Sequence, residues 1–152
     1  MKDRYLFRGK IEKGEFAGEW VEGQLIDTHE YGLCIYAHSV TVHSDPEYGM
    51  SVHEYDPATI GQCTGLKDDN GDLIYEDDIL LLTATDEEDK KAIVRFGNPN
   101  SVYEWGWALD FIGETKPNWF NPAIGLWVDT ELPTMGCEII GNIHDNKELL
   151  NA

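Results

Sequence analysis

The chain has 152 residues, 41% of them apolar and 11% aromatic, enough to bury one domain's core. Eleven Lys and Arg face 29 Asp and Glu, a net charge of -18. That balance argues against duplex nucleic-acid binding, which depends on cations that neutralise phosphate. No apolar run approaches the ~20 residues of a membrane-spanning helix.

The first thirteen residues carry Lys2, Arg4, Arg8, Lys10 and Lys13, and no Lys or Arg follows until Lys67. "MKDRYLFRGK" is charged without a long apolar segment behind it, so it does not read as a secretory signal. Cys34, Cys63 and Cys137 are dispersed and odd in number, unlike a disulfide framework. The expected compartment is a reducing cytosol.

Gly, Pro, Asn and Asp punctuate short apolar runs, the pattern of an all-β chain. In chain order the expected strands are Tyr5–Ile11, Gly18–Asp27, Gly32–Ala37, Val40–His43, Gly49–Tyr55, Leu73–Tyr75, Asp78–Ala84, Lys90–Phe96, Val102–Phe111, Ala123–Val128 and Cys137–His144. "DILLLT" is apolar on both faces, as a strand covered on both sides would be. It should pair antiparallel with "KKAIVRF", where Ala92, Val94 and Phe96 share a face. Helix is scarce. Asp56 and Pro57 suggest one capped turn. Asp145 and Glu148 have capping-box spacing before a short C-terminal helix.

The stretch "TGLKDDNGDLIYEDDILLL" invites three readings. Asp68, Asn70 and Asp72 alternate as calcium ligands do. An EF-hand would then need glycine at Leu73 and glutamate at Ile79, and it has neither. Glu76, Asp77 and Asp78 could split their pKa values as an acid–base pair. The sequence supplies no nearby second partner for that chemistry. The third reading is a tight hairpin at Asn70-Gly71, both tolerant of positive φ.

His29, His38, His43, His53 and His144, with Cys34, lack zinc-site spacing. Neither a hydrolase nucleophile elbow nor a phosphate-binding glycine loop is present. The sequence therefore assigns no catalytic residue, metal or cofactor. "YEWGW" places Tyr103, Trp105 and Trp107 on one strand face. Such a row fills a core, anchors a partner or stacks on bases. With few cations nearby, the third use is the weakest. Those three residues are the candidate interaction surface.

The order "YLFRGKI", "GEWVEGQLI", "YDPATIGQCTGLKDDNGDLIYEDDILLL" and "CEIIGNIHDNKELL" resembles the YopX family of phage and prophage proteins over nearly the whole length. Two departures stand out: the family pattern commonly has Gly at the position of Asp77 and an aromatic at that of Cys63. An Asp can take a left-handed turn conformation, so the first need not break the fold. The resemblance implies a mainly β fold, a short-stranded, partly open barrel or sandwich around that hairpin, ended by the short helix. It also implies a phage-encoded protein of the bacterial cytosol, with no reaction attached. The expected organisation is a single domain, with an N-terminal β subdomain of about residues 1–55 and a core barrel of about 56–152. The motif residues read as architecture: Gly61, Gly65, Gly71 and Gly141 for turns or close approach, Ile74, Ile79, Ile140 and Ile143 for the core, Asp56 and Asp145 for caps.

Function is expected to be non-enzymatic: a self-associating interaction module that meets its own copies or a host or phage protein, without direct nucleic-acid or membrane binding. The alternative is an acidic mimic of DNA that inhibits a host nucleic-acid-binding protein, suggested by the clusters at Asp68–Asp72, Glu76–Asp78 and Asp86–Asp89.

Overall fold

A computed structural model describes residues 3–28, 32–37, 53–85, 87–97, 106–113, 124, 127–128 and 135–151. The chain is mainly β and divides into two compact units, 1–63 and 64–152.

In the first unit β1 (Phe7–Lys10) pairs antiparallel with β2 (Trp20–Thr28), and β2 with β3 (Gly32–Ala37). The other edge of β1 takes Gly61 and Gln62, the opening residues of β4 (Gly61–Lys67). Side chains alternate across this sheet. Gly9 faces inward among Ile35, Tyr55 and Ile60, where an added Cβ would come within 2.9 Å of Ile35 Cδ1. Ile11, Val21, Ile35 and Tyr55 form this unit's core. On the opposite face Arg8 and Lys10 lie over one indole, 4.8 and 5.6 Å from the Trp20 ring centre. The expected capped turn is present as a 3-10 turn over Pro57–Thr59, with Asp56 Oδ1 accepting from the Ala58 amide at 3.0 Å.

In the second unit β6 (Asp78–Ala84) lies between β7 (Glu87–Phe96) and β9 (Met135–Asn142), and β8 (Trp107–Phe111) lies outside β7. Every pairing in this sheet is antiparallel, including the expected one between β6 and β7. The apolar run of β6 explains its central place. Ile79 and Leu80 point to opposite faces and are both fully buried. Leu80 and Leu82 meet Ile74, Val94, Leu109 and Trp127 in the main core. Ala92 and Val94 are buried as their face predicts, but Phe96 at the strand's end is 56% exposed.

Among the described residues neither sheet closes into a barrel, in keeping with the expected partly open arrangement. Other sequence expectations need correction. Gly61–Lys67 is a strand that the apolar pattern did not announce. The C-terminal helix is one 3-10 turn, Lys147–Leu150, whose cap position is Asn146, not Asp145. Asp145 is exposed and donates its backbone N–H to Asn142 Oδ1 at 3.0 Å. Ile140 and Ile143 are half-buried, whereas Ile74 and Ile79 are fully buried as expected. The last expected strand begins two residues early, at Met135, and stops at Asn142. The expected strand at 40–43 lies outside the described residues, as do the first parts, 49–52 and 102–105, of those expected at 49–55 and 102–111; of 53–55 only Tyr55 makes a β-bridge, to Ile11. In the stretch expected as strand 123–128, Ile124 and Trp127 belong to turns and are buried.

Candidate functional site

The hairpin between β4 and β5 (Leu73–Tyr75) carries the acids that the sequence singles out. Its turn is built on two backbone bonds, Gly71 N–H to Asp68 O at 3.0 Å and Asp68 N–H to Asp72 O at 2.9 Å. Gly71 has φ +86°, while Asn70 is not left-handed. The connection is thus a three-residue loop, a type I turn closed by a left-handed glycine. The two-residue turn with positive φ at both Asn70 and Gly71 is not formed.

Asp68 is buried at 7% exposure, and its carboxylate is consumed by main-chain amides. Oδ1 accepts from Asn70 N at 3.0 Å and Asp72 N at 2.9 Å, and Oδ2 from Ile139 N at 3.1 Å. The next carboxylate does the same for β9. Asp69 Oδ2 accepts from Cys137 N at 2.8 Å, and Asp69 N–H donates to Cys137 O at 2.9 Å. Burial opposes ionisation of Asp68, yet the amides of Ile139, Asp72 and Asn70, with the Asn70 side chain, outweigh it and hold its pKa below the ordinary carboxylate value. The pair pushes the other way on the thiol beneath it. Burial first, then the charges of Asp69 and Asp68, raise the Cys137 pKa to about 12. A thiol held neutral in this way is a poor nucleophile and a poor metal ligand. Among the described residues, no three His, Cys, Asp or Glu side chains are grouped to hold a metal ion. His29, His38 and His43 lie outside them.

Beside this clasp is a cleft of about 390 Å³ lined by residues 65–69 with Trp127 and Met135. It joins an apolar wall to the Lys67 and Asp69 side chains.

The second acidic group is divided among different partners. Asp78 is buried and accepts from Tyr75 N at 2.7 Å. Asp77 is the one non-glycine among the described residues with positive φ, at +69°. Its amide donates to Val94 O at 2.9 Å, and its carbonyl accepts from Ile143 N at 3.0 Å. The carboxylate then joins two strands: Oδ1 pairs with Arg95 Nη1 on β7, and Oδ2 lies 3.1 Å from His144 Nε2 just past β9. Sequence reasoning missed this trio because 67 residues separate Asp77 from His144 and no spacing rule connects them. An aspartate beside a histidine can orient an imidazole for proton transfer. Here Arg95 holds the other oxygen, and the described cleft is lined by other residues. The arrangement is an ion-pair clasp between strand ends.

The aromatic row is placed in part. Trp107 opens β8, is half-buried, and stands across from Phe96 of β7. Their rings meet edge to face, with centres 5.1 Å apart. Tyr103 and Trp105 lie outside the described residues.

A family model described as YopX protein matches residues 7–151. The chain belongs to the YopX family. No curated protein matches it. Of the stretches that carry the resemblance, the middle one holds the β4–β5 hairpin with its clasp and the last one holds most of β9 with the turn that follows. Gly141 in that last stretch is required sterically, since an added Cβ would lie 2.5 Å from Asn146 Oδ1. Asp77, one of the two departures that the resemblance marks, is left-handed.

Three outcomes follow from this geometry. Asp77→Gly should lie within about 1 kcal/mol of the parent, because relief of left-handed strain offsets a partly exposed ion pair. Asp77→Ala loses the pair and keeps the strain, so it should be the less stable of the two in urea titrations. Because the Asp68 pKa is lowered on folding, its stabilisation is present above the unfolded carboxyl value and is lost as pH falls through the folded one. Asp68→Ala should therefore cost roughly 3 kcal/mol at neutral pH. The gap from the parent should narrow below about pH 4, read by denaturant midpoints across pH. Cys63 and Cys137, both buried, should resist thiol reagents at pH 8 until denaturant is added. Rapid labelling of Cys137 in the folded chain would contradict the raised pKa.

Proposed function

We propose that this YopX-family chain is a non-enzymatic interaction module that associates with copies of itself, encoded by a phage or prophage and working in the bacterial cytosol. The observation that carries the reading is the aromatic pair at the end of the β7–β8 hairpin. Phe96 keeps 56% of its surface exposed while its ring edge rests on Trp107, itself packed against the main core. A large apolar side chain braced by a half-buried neighbour suits an interface anchor. The proposed surface takes in Tyr103 and Trp105, which alternate with Trp107 in sequence.

The acids support the reading by what they already do. Asp68, Asp69, Asp77 and Asp78 are each engaged with amides or cations of their own fold. This weakens the alternative of a DNA mimic, which needs carboxylates displayed at phosphate spacing. Glu88 and Asp89, exposed at the β6–β7 hairpin, are still consistent with it.

Light scattering coupled to size exclusion tests the proposal. The mass should exceed that of a monomer at micromolar concentration. Phe96→Ala should weaken association by about tenfold or more, the scale of losing an aromatic anchor. A clean monomer at high micromolar concentration would overturn the self-association. Association that depends on salt but is indifferent to Phe96→Ala would move the interface to the charged surface.

A further inference from the structure

Among the described residues β9 is a terminal strand, with β6 on its inner side. The outer edge of such a strand offers a row of main-chain donors and acceptors, a ready template for another chain. In β9 that row is taken by side chains. Cys137 N–H goes to Asp69 Oδ2 at 2.8 Å, Ile139 N–H to Asp68 Oδ2 at 3.1 Å, and Asn142 N–H to Asn146 Oδ1 at 3.2 Å. Two carbonyls are covered from the same side, Cys137 O by Asp69 N–H at 2.9 Å and Asn142 O by Asn146 N–H at 3.0 Å. The phase fits a single edge. Residues 137 and 139 point the same way along a strand. The register shift between Ile79 and Leu80, opposite Ile140, then brings Asn142 into the same row.

We infer that Asp68, Asp69 and Asn146 seal the β9 edge against strand addition, and that the partner the opened edge accepts is the β9 edge of a second copy. Two such edges related by a twofold axis present the same alternating donors and acceptors in antiparallel order, so each is complementary to the other. At eight residues β9 is longer than most of the strands around it, and its central amides are the ones the two aspartates hold. The inference does not rest on the association proposed through Phe96, which lies on β7, two strands away.

The test uses Asp69, whose exposed side chain can be changed without opening the core. Asp69→Ala removes the bond to the Cys137 amide. Asp69→Pro keeps the turn, where proline is favoured at the second position, and removes both bonds to Cys137. Each variant is made in the full chain and again with Phe96→Ala, so that association through the aromatic end is read separately. Light scattering gives the mass and hydrogen exchange gives protection along residues 135–142. The expected result is a doubled mass relative to the matched parent, with the Cys137 amide still protected. Asp69→Asn retains an acceptor oxygen and should keep the parent's mass.

An unchanged mass with exchange at Cys137 raised tenfold or more would overturn the inference, since releasing that amide from Asp69 would not lead the edge to pair. So would an unchanged mass with unchanged exchange, because the carboxylate would then not be the seal. Large assemblies whose β9 amides exchange freely would overturn it as well.

Discussion

A buried carboxylate is stable only where hydrogen bonds replace the water it has lost, and Asp68 finds three of them on main-chain amides. Two belong to its own loop and one to β9, across 71 residues of sequence. The same group therefore shapes a turn and fixes where a distant strand lies. With Asp69 beside it, the loop is tied to β9 at Cys137 and Ile139, and the position of β9 against β6 carries this constraint into the main core. Replacing either acid by an apolar residue would leave amides unsatisfied, which costs more than the bonds themselves contribute.

Much of the scaffold could be read from residue patterns, for reasons specific to each part. The apolar run of β6 and the alternation of β7 report burial directly, so the central pair was legible. Asn70-Gly71 located the turn but not its type, because a left-handed glycine serves two-residue and three-residue loops alike. β4 escaped notice because Gly61, Gln62 and Gly65 are weak strand formers, and pairing with β1 overrides local preference. At the C-terminus the spacing of Asp145 and Glu148 suggested a capping box. Asn146 instead uses its side-chain oxygen on the Asn142 amide, and the segment winds into a single tight turn.

The candidate sites were less legible because their partners are remote. Asp69 meets Cys137 across 68 residues and Asp77 meets His144 across 67. A spacing rule built for helices and metal loops cannot see either. Asp77 also shows one residue answering two demands. The backbone there needs positive φ, which glycine would supply most easily. Aspartate tolerates the same conformation and adds a charge that reaches Arg95 and His144, so strain at one residue is exchanged for a link between two strand ends.

The turn that closes the β4–β5 hairpin has a further consequence for the chemical lifetime of the protein. Asparagine followed by glycine is prone to deamidation, in which the glycine nitrogen attacks the asparagine side chain, releases ammonia and leaves a cyclic imide that water opens to aspartate or isoaspartate. In the folded loop that nitrogen donates its hydrogen to Asp68 O at 3.0 Å, and the Asn70 amide is held by Asp68 Oδ1. Ring closure must wait for the loop to open. Slow conversion of Asn70 in stored protein would thus act as a clock for how often this hairpin comes apart.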